Sequence, residues 1–491
     1  MLCPHCQKDV AISREYCPYC GKRMQMEFND IASSVHDDAA VRRGEKIEQF
    51  LSYALFVLVL AGTIMYSINE LYDRQLVTDF SEGPMIPAPA AQFPTTTSTT
   101  GLKPVQDVQK VRGLAPEPPT AFGYRFAPIK TELIKANGGM VPKDLLQIQN
   151  GLRYLVTKQT GKGNWEIDTR DLRIPAAQSQ AAQNMWAEVG VASICLLPLL
   201  AEGEIWTAPN SKYGFQVKRG IAYLAQQQDP ATGRFGPAQA QTFFMWNHAF
   251  ALIAMSEAAG LSADPWLRDS AQRGVEMLER IQGPKGGWGY TDSIGADRIE
   301  QTLSTVLQVQ ALAAAREAGI KVKPETFQKA LDFLLAVTNA DGSVQYDAND
   351  VNTRDEHNIL SGMVLMARLQ CGEPKTANAQ RALVKKIIER DNLPSAERGW
   401  GAFWNGNANK PEDLKRAAVF QPYRWYFQSY ALFMRGGSDW DPWQKSLFKS
   451  MLELQDADGA WRGNHNWSCK YGATFSTAMT LLCMQSMYRL Q

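Results

Sequence analysis

The sequence has no dense cluster of lysine and arginine, and its 51 basic residues are balanced by 50 acidic ones. Without a basic patch it lacks the electrostatic footprint of a nucleic-acid-binding protein, so we expect no nucleic acid partner. It also lacks the GxxxxGK[ST], GxGxxG, HExxH and GxSxG motifs. The commonest signatures of nucleotide-binding proteins, zinc proteases and serine hydrolases are therefore absent.

Cysteine is scarce beyond the first twenty residues, where Cys3, Cys6, Cys17 and Cys20 form the pairs CPHC and CPYC. Each CxxC turn presents two thiolates to one ion, and two such turns complete a tetrahedral zinc site. Disulfides or free thiols are the alternative interpretation. Residues 1–25 resemble a zinc ribbon, which implies one structural zinc and a surface that engages a protein partner.

Long hydrophobic runs are also rare, and an uncharged, predominantly apolar run of membrane-spanning length covers residues 50–68. As a helix it would extend roughly 28 Å, which matches the hydrocarbon core of a bilayer. A buried core helix is the alternative. Arg42, Arg43 and Lys46 precede the run and only Arg74 follows closely, which favours a cytoplasmic amino terminus. We expect a single-pass cell-membrane protein whose segment 26–49 is cytoplasmic and juxtamembrane.

Residues 69–121 form a predicted linker between this membrane segment and the rest of the chain. Its part from residue 81 onward holds eight prolines and the run TTTSTT, without a periodic apolar pattern. Such a composition is typical of an extended, disordered spacer. The module at residues 122–491 is therefore expected outside the cytoplasm.

The module repeats one pattern, a helix followed by a polar turn, glycine and an aromatic residue, as in LQDADGAW at residues 454–461. Six copies indicate stacked helical units. The first helix of a unit is amphipathic, with Val275, Leu278 and Ile281 on one face of the third copy. The second helix is apolar nearly all round, as at residues 300–319, and should be buried. Six such pairs predict an all-α fold, an (α/α)6 toroid with an inner barrel and an outer ring.

Two copies carry a helix-terminal glutamine with a downstream Gly-x-Trp most clearly. They are Gln282, Gly286 and Trp288 in one copy and Gln455, Gly459 and Trp461 in the other. On these residues the module resembles the squalene cyclase and prenyltransferase repeat superfamily. The resemblance implies a central cavity, used within the superfamily for terpenoid cyclisation, protein prenylation or thioester-linked tagging. It makes an apolar ligand in the cavity a candidate partner.

The catalytic motifs of those three chemistries are missing from the sequence. There is no DxDD acid, no DDxxD magnesium motif and no Asp-x-Cys zinc pair. The thioester motif CGEQ is replaced by CGEP, with Pro374 where the acceptor glutamine would stand. We therefore favour a non-catalytic binding or scaffold module. The alternative is a terpenoid or isoprenoid cyclase, or a prenyltransferase-like enzyme, with diverged catalytic residues.

Weak catalytic candidates remain in the stretch DANDVNTRDEH, which begins at Asp347 and Asp350 and ends at Asp355, Glu356 and His357. They form either an acid or metal cluster or a set of solvated acids at a helix start, where the helix dipole favours negative charge. His248, alone on an apolar helix, is either a general base or a hydrogen-bonded core residue.

Other candidates have an equally plain structural interpretation. His465 and Cys469 could form a ligand pair, although no carboxylate partner is evident. Aromatic residues at two inner-helix starts either line a cavity or fill the core; they are Phe243, Phe244, Trp246, Tyr423, Trp425, Tyr426 and Tyr430. Cys195, Cys371 and Cys483 are expected to be small apolar core residues.

Overall fold

In the computed structural model, twelve helices among the described residues of the module pair into hairpins. The structure describes residues 121–167, 185–237, 240, 243–292, 299–347, 359–378, 380–389, 393–396, 422–462 and 471–489. The chain divides into two units, residues 1–99 and 100–491, and every described residue belongs to the second. The predicted ribbon, membrane segment and nearly all of the predicted linker lie outside the described residues.

The helices alternate between outer and inner positions. In chain order they are α1 (Ile129–Ala136), α2 (Pro142–Lys158), α3 (Glu188–Ala201), α4 (Gly214–Gln226), α5 (Phe244–Ser262), α6 (Pro265–Arg280), α7 (Thr302–Glu317), α8 (Pro324–Ala336), α9 (Ile359–Gln370), α10 (Gln380–Ile388), α11 (Pro422–Arg435), α12 (Trp440–Leu454), α13 (Gly472–Met484) and α14 (Ser486–Arg489). Short 3-10 turns cover Gly123–Arg125 and Met185–Ala187. The described part contains no strand, only three isolated antiparallel bridges.

The odd-numbered helices from α3 to α13 form the inner barrel. Each contacts the next, and α13 returns to contact α3, so the inner ring closes on itself. The sequence explains their position, because a helix without a polar face is stable only when it is covered on all sides. In α5 every residue from Phe244 to Leu261 is buried.

The even-numbered helices from α2 to α12 form the outer ring. Most of them lie against two neighbouring inner helices, as α6 does against α5 and α7, and α2 against α13 and α3. The third outer helix shows the predicted face: Val275, Leu278 and Ile281 are buried, and Glu276 and Arg280 are exposed. Outer helices thus bury one stripe and leave the opposite one in solvent.

In four copies the glutamine of the repeat joins one hairpin to the next. Its side-chain Nε2 donates one hydrogen bond to a glycine carbonyl within its own turn and another to a carbonyl of the following outer helix. These paired bonds are made by Gln159 to Gly163 and Gln216, by Gln228 to Gly233 and Ser270, by Gln282 to Gly286 and Thr326, and by Gln455 to Gly459 and Gln147. The last pair runs from the sixth turn to α2 and closes the ring.

The turn needs glycine for two reasons: the backbone φ there is positive, and a side chain would collide with the next outer helix. Gly286 has a φ of +99°, and a Cβ placed on it would lie 2.0 Å from the carbonyl oxygen of Lys329 on α8. Gly459 has a φ of +91°, and its Cβ would lie 2.5 Å from the carbonyl oxygen of Asn150 on α2. A side chain at either position would force the turn away from the next outer helix.

The aromatic residue of the repeat packs back onto its own hairpin. The indole Nε1 of Trp461 donates to the carbonyl of Met451, 3.0 Å away and ten residues earlier on α12. Trp165 and Trp288 make the same bond to carbonyls ten residues earlier. In the fourth copy Val344 occupies this position, fully buried. The repeated aromatic is therefore part of the hairpin core.

Within the described ranges, no helix combines the length and apolarity that crossing a membrane requires.

Candidate functional site

The two ends of the inner barrel carry different chemistry. The carboxyl-terminal ends of the inner helices enclose buried charge, centred on Glu257 of α5. Its carboxylate accepts from Nη1 of Arg125 and from Nη2 of Arg489, each at 2.6 Å. All three side chains are at most 1% exposed. Such a cluster is stable only because each charge is hydrogen-bonded to its counter-ion.

Further hydrogen bonds extend this charge cluster across the barrel. Arg125 donates from Nε and Nη2 to the carbonyl of Arg489, at 3.1 and 2.9 Å. Arg489 donates from Nη1 to the hydroxyls of Tyr426 and Tyr430, both at 3.2 Å. The cluster therefore joins the first described turn, the middle of the chain and its last helix.

Glu317, at the end of α7, lies beside this charge cluster and is only part-buried. Its Oε2 atom is shielded from solvent and accepts no hydrogen bond from the described residues. Burial raises the pKa of this carboxyl from 4.5 to about 7, against the opposing effect of Arg125. The folded module therefore retains the proton to a higher pH than an unfolded chain would. The associated stabilisation is present below pH 4.5 and is lost as the pH rises to about 7.

The amino-terminal ends of the inner helices hold a cluster of aromatic rings instead. Trp246 of α5 stacks on Tyr471, with ring centroids 5.3 Å apart and planes 22° apart. Phe475 of α13 lies edge-on to Tyr471 at 5.0 Å and stacks against Tyr423 of α11 at 6.3 Å. We call Trp246, Tyr423, Tyr471 and Phe475 the aromatic cluster. It draws on three different inner helices.

Hydrogen-bonded polar groups lie beside the aromatic cluster. Asn247 donates to the carbonyl of Trp186 at 2.6 Å and accepts from the amide of Gly190 at 2.9 Å. The hydroxyls of Tyr290 and Tyr346 are hydrogen-bonded to each other. Trp186 is 38% exposed, whereas the four clustered rings are at most 8% exposed. The four rings of the aromatic cluster therefore lie just beneath the surface that the described residues form.

The aromatic cluster offers ring faces and neutral hydroxyl and amide groups, while Arg424, Glu300 and the Arg234–Asp292 pair also lie at this end of the barrel. Burial raises the pKa of Tyr423 and of Tyr471 well above the usual phenol value, so both hydroxyls stay neutral. Flat rings with a few fixed polar groups are typical of sites for apolar ligands. In the residues that the structure describes, no group of three His, Cys, Asp or Glu side chains could hold a metal ion.

His248 lies within the wall between α5 and the outer ring. Its Nδ1 accepts from the amide of Phe235 at 3.2 Å, and its Nε2 lies 3.2 Å from the carbonyl of Gly274 on α6. Burial lowers the pKa of this imidazole to about 4, so the ring is neutral. Both nitrogens are engaged by backbone, which favours the structural interpretation over a general base.

The other sequence candidates are not brought together with this histidine. Asp347 forms an isolated bridge with Gln301 at the start of α7. Asp350, Asp355, Glu356 and His357 lie outside the described residues, as do His465, Cys469 and the ribbon cysteines Cys3, Cys6, Cys17 and Cys20. Their predicted roles stay predictions.

The three cysteines among the described residues of the module lie where core residues are expected. Cys195 and Cys483 are buried, and burial raises the pKa of both thiols. Cys371 is part-buried directly after α9. In the CGEP stretch Glu373 pairs with Arg368, whose Nε donates at 2.9 Å. This stretch therefore has a structural role at the end of an inner helix.

The predicted aromatic set divides between the two barrel ends. Trp246 and Tyr423 belong to the aromatic cluster, whereas Tyr426 and Tyr430 bind Arg489 at the other end. Phe244 and Trp425 lie in the core, and the partly buried Phe243 packs against it. Sequence reasoning missed the charge cluster, although Glu257 stands alone in an apolar helix. A lone acid in a helix expected to be buried needs a counter-ion, so Glu257 by itself indicated that a basic side chain had to lie next to it.

Comparison with known proteins identifies no family. No family model and no curated protein matches the chain. Among solved structures it is similar to the type II terpene cyclase MstE from Scytonema, with 13% identity, 70% of this chain and 98% of that chain covered, and a TM-score of 0.42.

Two further structures show a similar degree of likeness. The family 76 mannosidase Bt3792 from Bacteroides thetaiotaomicron has 10% identity, 70% and 98% coverage and a TM-score of 0.45. A possible GH105 member from Salmonella enterica serovar Paratyphi A has 12% identity, 72% and 96% coverage and a TM-score of 0.44. These TM-scores carry no argument about activity; the helix contacts themselves define the closed ring.

Proposed function

We propose that this chain is a membrane-anchored envelope protein whose toroid is a non-catalytic module that binds an apolar ligand. The observation that carries the proposal is the aromatic cluster at the amino-terminal end of the barrel. Four rings from three inner helices meet there, and each packs against at least one other ring of the cluster. A ligand with a flat or branched hydrocarbon body would pack against these faces.

The aromatic cluster is distinct from the repeated aromatics. Trp165, Trp288 and Trp461 recur at equivalent places around the ring. Trp246 and Tyr423 also come from corresponding helices, yet their neighbours Asn247 and Arg424 differ in chemistry. A residue type that recurs around the ring supports the ring, whereas a set of unlike residues is what a single binding site requires.

A second function is an isoprenoid cyclase or prenyltransferase-like enzyme. The same aromatic cluster favours it, because ring faces stabilise a developing carbocation. Such an enzyme also needs an acid or a metal to start the reaction. Asp355, Glu356 and His357 are the sequence candidates for that role.

The binding proposal is tested by titrating the fragment 122–491 with farnesol and following tryptophan fluorescence. We expect Trp246→Leu to weaken binding at least about tenfold, which corresponds to about 1.4 kcal/mol. Trp266→Leu is the matched control, because Trp266 is 54% exposed on an outer helix and should leave the affinity unchanged. Equal affinities for wild type and Trp246→Leu would reject the site. Conversion of an isoprenoid substrate to a cyclic product would favour the enzyme instead.

The topology of the proposed anchor is tested by adding protease to intact cells. We expect digestion of the linker at residues 69–121 and of the toroid, with protection of a tag at the amino terminus. The expectation follows from the excess of basic residues before the segment 50–68. Protection of the toroid, with loss of the tag, would reverse the orientation.

The cytoplasmic ribbon is proposed to hold one zinc ion and to bind a protein partner. Purified residues 1–49 should contain one zinc per chain, held by Cys3, Cys6, Cys17 and Cys20. Elemental analysis measures the stoichiometry. Cys3→Ser should abolish high-affinity binding, because three thiolates leave the tetrahedral site incomplete, and a metal content near zero in the wild type would reject the site.

A further inference from the structure

Large apolar side chains are exposed on three consecutive outer helices of the toroid. We call them the apolar rim: Val141, Leu145 and Leu146 at the start of α2, Phe215 at the start of α4 and Trp266 at the start of α6. Their exposed fractions run from 39% at Leu145 to 67% at Phe215. Exposed apolar residues gathered at one edge of a fold mark an interaction surface.

These three helix starts lie at one end of the barrel. α4 and α6 begin shortly after α3 and α5 end, so their first residues lie at the carboxyl-terminal end of the inner barrel. Backbone near Gly214 approaches the carbonyl of Ile205, which follows α3. The guanidinium of Arg268 donates to the carbonyl of Gly319, which follows α7, at 2.9 Å. Asn137, just before α2, donates to the carbonyl of Met487 at 3.2 Å.

The described chain also begins at this end. Phe122 packs so closely on α5 that a Cβ on Gly260 would lie 2.5 Å from its ring. Arg125 is fixed by Glu257 and by the carbonyl of Arg489 in the buried charge cluster. The 120 residues before this point, which include the apolar run 50–68, therefore connect to the module at the end that carries the apolar rim.

Basic residues lie beside the apolar rim, although Lys143 is directly followed by the acidic Asp144. Lys143 lies between Val141 and Leu145, and Lys212 lies three residues before Phe215; both are exposed. Exposed aromatic and aliphatic residues with lysines beside them are typical of surfaces that lie in the headgroup region of a membrane.

We propose that the apolar rim docks on the surface of a lipid bilayer. The inference rests on the proposed membrane anchor, which would supply the bilayer. A disordered linker of the length of residues 69–121 has a root-mean-square span of about 40 Å, so it allows the module to reach the surface. Tethering gives an effective concentration on the order of millimolar, so a small apolar surface is sufficient for docking.

The docking has a functional consequence for the module. With the carboxyl-terminal end on the membrane, the aromatic cluster at the amino-terminal end faces away from the bilayer. A ligand would then be received from the aqueous side or from another envelope component. Direct uptake from the anchoring bilayer would require the opposite orientation.

The test places the photoreactive residue p-benzoyl-phenylalanine at Phe215 or Trp266 of the full-length chain. The chain is reconstituted in vesicles of phosphatidylethanolamine and phosphatidylglycerol, irradiated and analysed by mass spectrometry. Phe56, inside the apolar run, is the positive control for the anchor. Ala231, an exposed residue in the turn after α4 at the other end, is the negative control.

We expect lipid adducts at positions 215, 266 and 56 and none at 231. Leu146→Asp together with Phe215→Asp should reduce the adduct at 266 about tenfold, which corresponds to about 1.4 kcal/mol. Both replaced side chains are mostly exposed, so the fold should be retained. Lipid adducts at position 56 alone would contradict the docking of the apolar rim but would support the membrane anchor. Adducts to a second copy of the chain at 215 and 266 would overturn it in favour of self-association, and no lipid adduct at 56 would reject anchor and docking together.

Discussion

Arg489→Met is expected to lower the free energy of unfolding of the fragment 122–491 by about 3–5 kcal/mol, because it leaves Glu257 with one of its two counter-ions deep in the barrel. The carboxylate of Glu257 is 0% exposed, and both ion pairs span 2.6 Å. Burial lowers the pKa of Arg489, whereas the Glu257 carboxylate raises it. The pKa of Arg489 as a result lies well above its ordinary value. Urea denaturation followed by circular dichroism measures the change.

A matched control is available in the same module. Arg435 pairs with Asp439 at 2.8 Å, but their side chains are 18% and 28% exposed. Solvent screens that pair, so Arg435→Met should cost at most about 0.5 kcal/mol. If the two substitutions had equal effects, the charge cluster would contribute no more than a surface ion pair.

Replacing the whole cluster separates the cost of a lone buried charge from the net value of the ion pairs. The triple variant Arg125→Met, Glu257→Met and Arg489→Met removes every charge of the three-residue network. Buried ion pairs replaced by apolar residues of similar volume are often neutral in stability. We expect the triple variant to be more stable than Arg489→Met alone. A triple variant that is less stable than the single one would show that the pairs themselves hold the barrel together.

Trp461→Ala is expected to lower the free energy of unfolding by about 3 kcal/mol or more, as truncation of a buried tryptophan generally does. The indole fills the joint between the last hairpin and the first, because a Cβ on Gly151 of α2 would lie 2.7 Å from its ring. Its amide also donates to Thr477 of α13 at 3.0 Å. Loss of the side chain therefore weakens ring closure as well as the sixth hairpin.

Thermal unfolding of the fragment 122–491 checks this prediction against Trp266→Ala. Trp266 has the same side chain on the outer surface, where it is 54% exposed. Its truncation should shift the unfolding midpoint by less than a third as much. An unchanged midpoint in Trp461→Ala would contradict the structural role of the repeated aromatic.

The architecture was accessible from sequence because the repeat carries its own geometry. Helix-terminal glutamine, glycine with positive φ and the packed aromatic recur at equivalent places, as at Gln455, Gly459 and Trp461. Each residue acts locally, within its hairpin or on the next one. Local patterns of this kind can be recognised in a single sequence, so the number of hairpins and their inner and outer helices could be predicted.

The two side-chain clusters at the ends of the barrel could not be predicted from the sequence, because both depend on contacts between distant residues. Tyr471 stacks on Trp246 across more than two hundred residues of sequence. Arg125 and Glu257 are 132 residues apart, and Arg125 and Arg489 are 364 apart. Nothing in the spacing of these residues reveals that they meet. Only the closure of the ring brings them together.

The fourth hairpin shows the limit of the repeat itself. Thr338 replaces the glutamine there, and its hydroxyl bonds to Leu334 of its own helix at 2.6 Å. Val344 replaces the aromatic and is buried. The joint to the fifth hairpin therefore relies on backbone packing, since a Cβ on Gly342 would still lie 2.5 Å from the carbonyl of Ala382.

If the repeated aromatics support the ring while the aromatic cluster binds ligand, substitutions in the two sets must have different effects, and one paired measurement separates them. Farnesol affinity and the thermal unfolding midpoint are determined for Trp246→Leu and Trp461→Ala, with affinity measured at a temperature where both variants are fully folded. We expect Trp246→Leu to lose at least about tenfold in affinity and Trp461→Ala to keep its affinity with a lowered midpoint. Loss of affinity in Trp461→Ala at an unchanged midpoint, with binding retained in Trp246→Leu, would contradict the account.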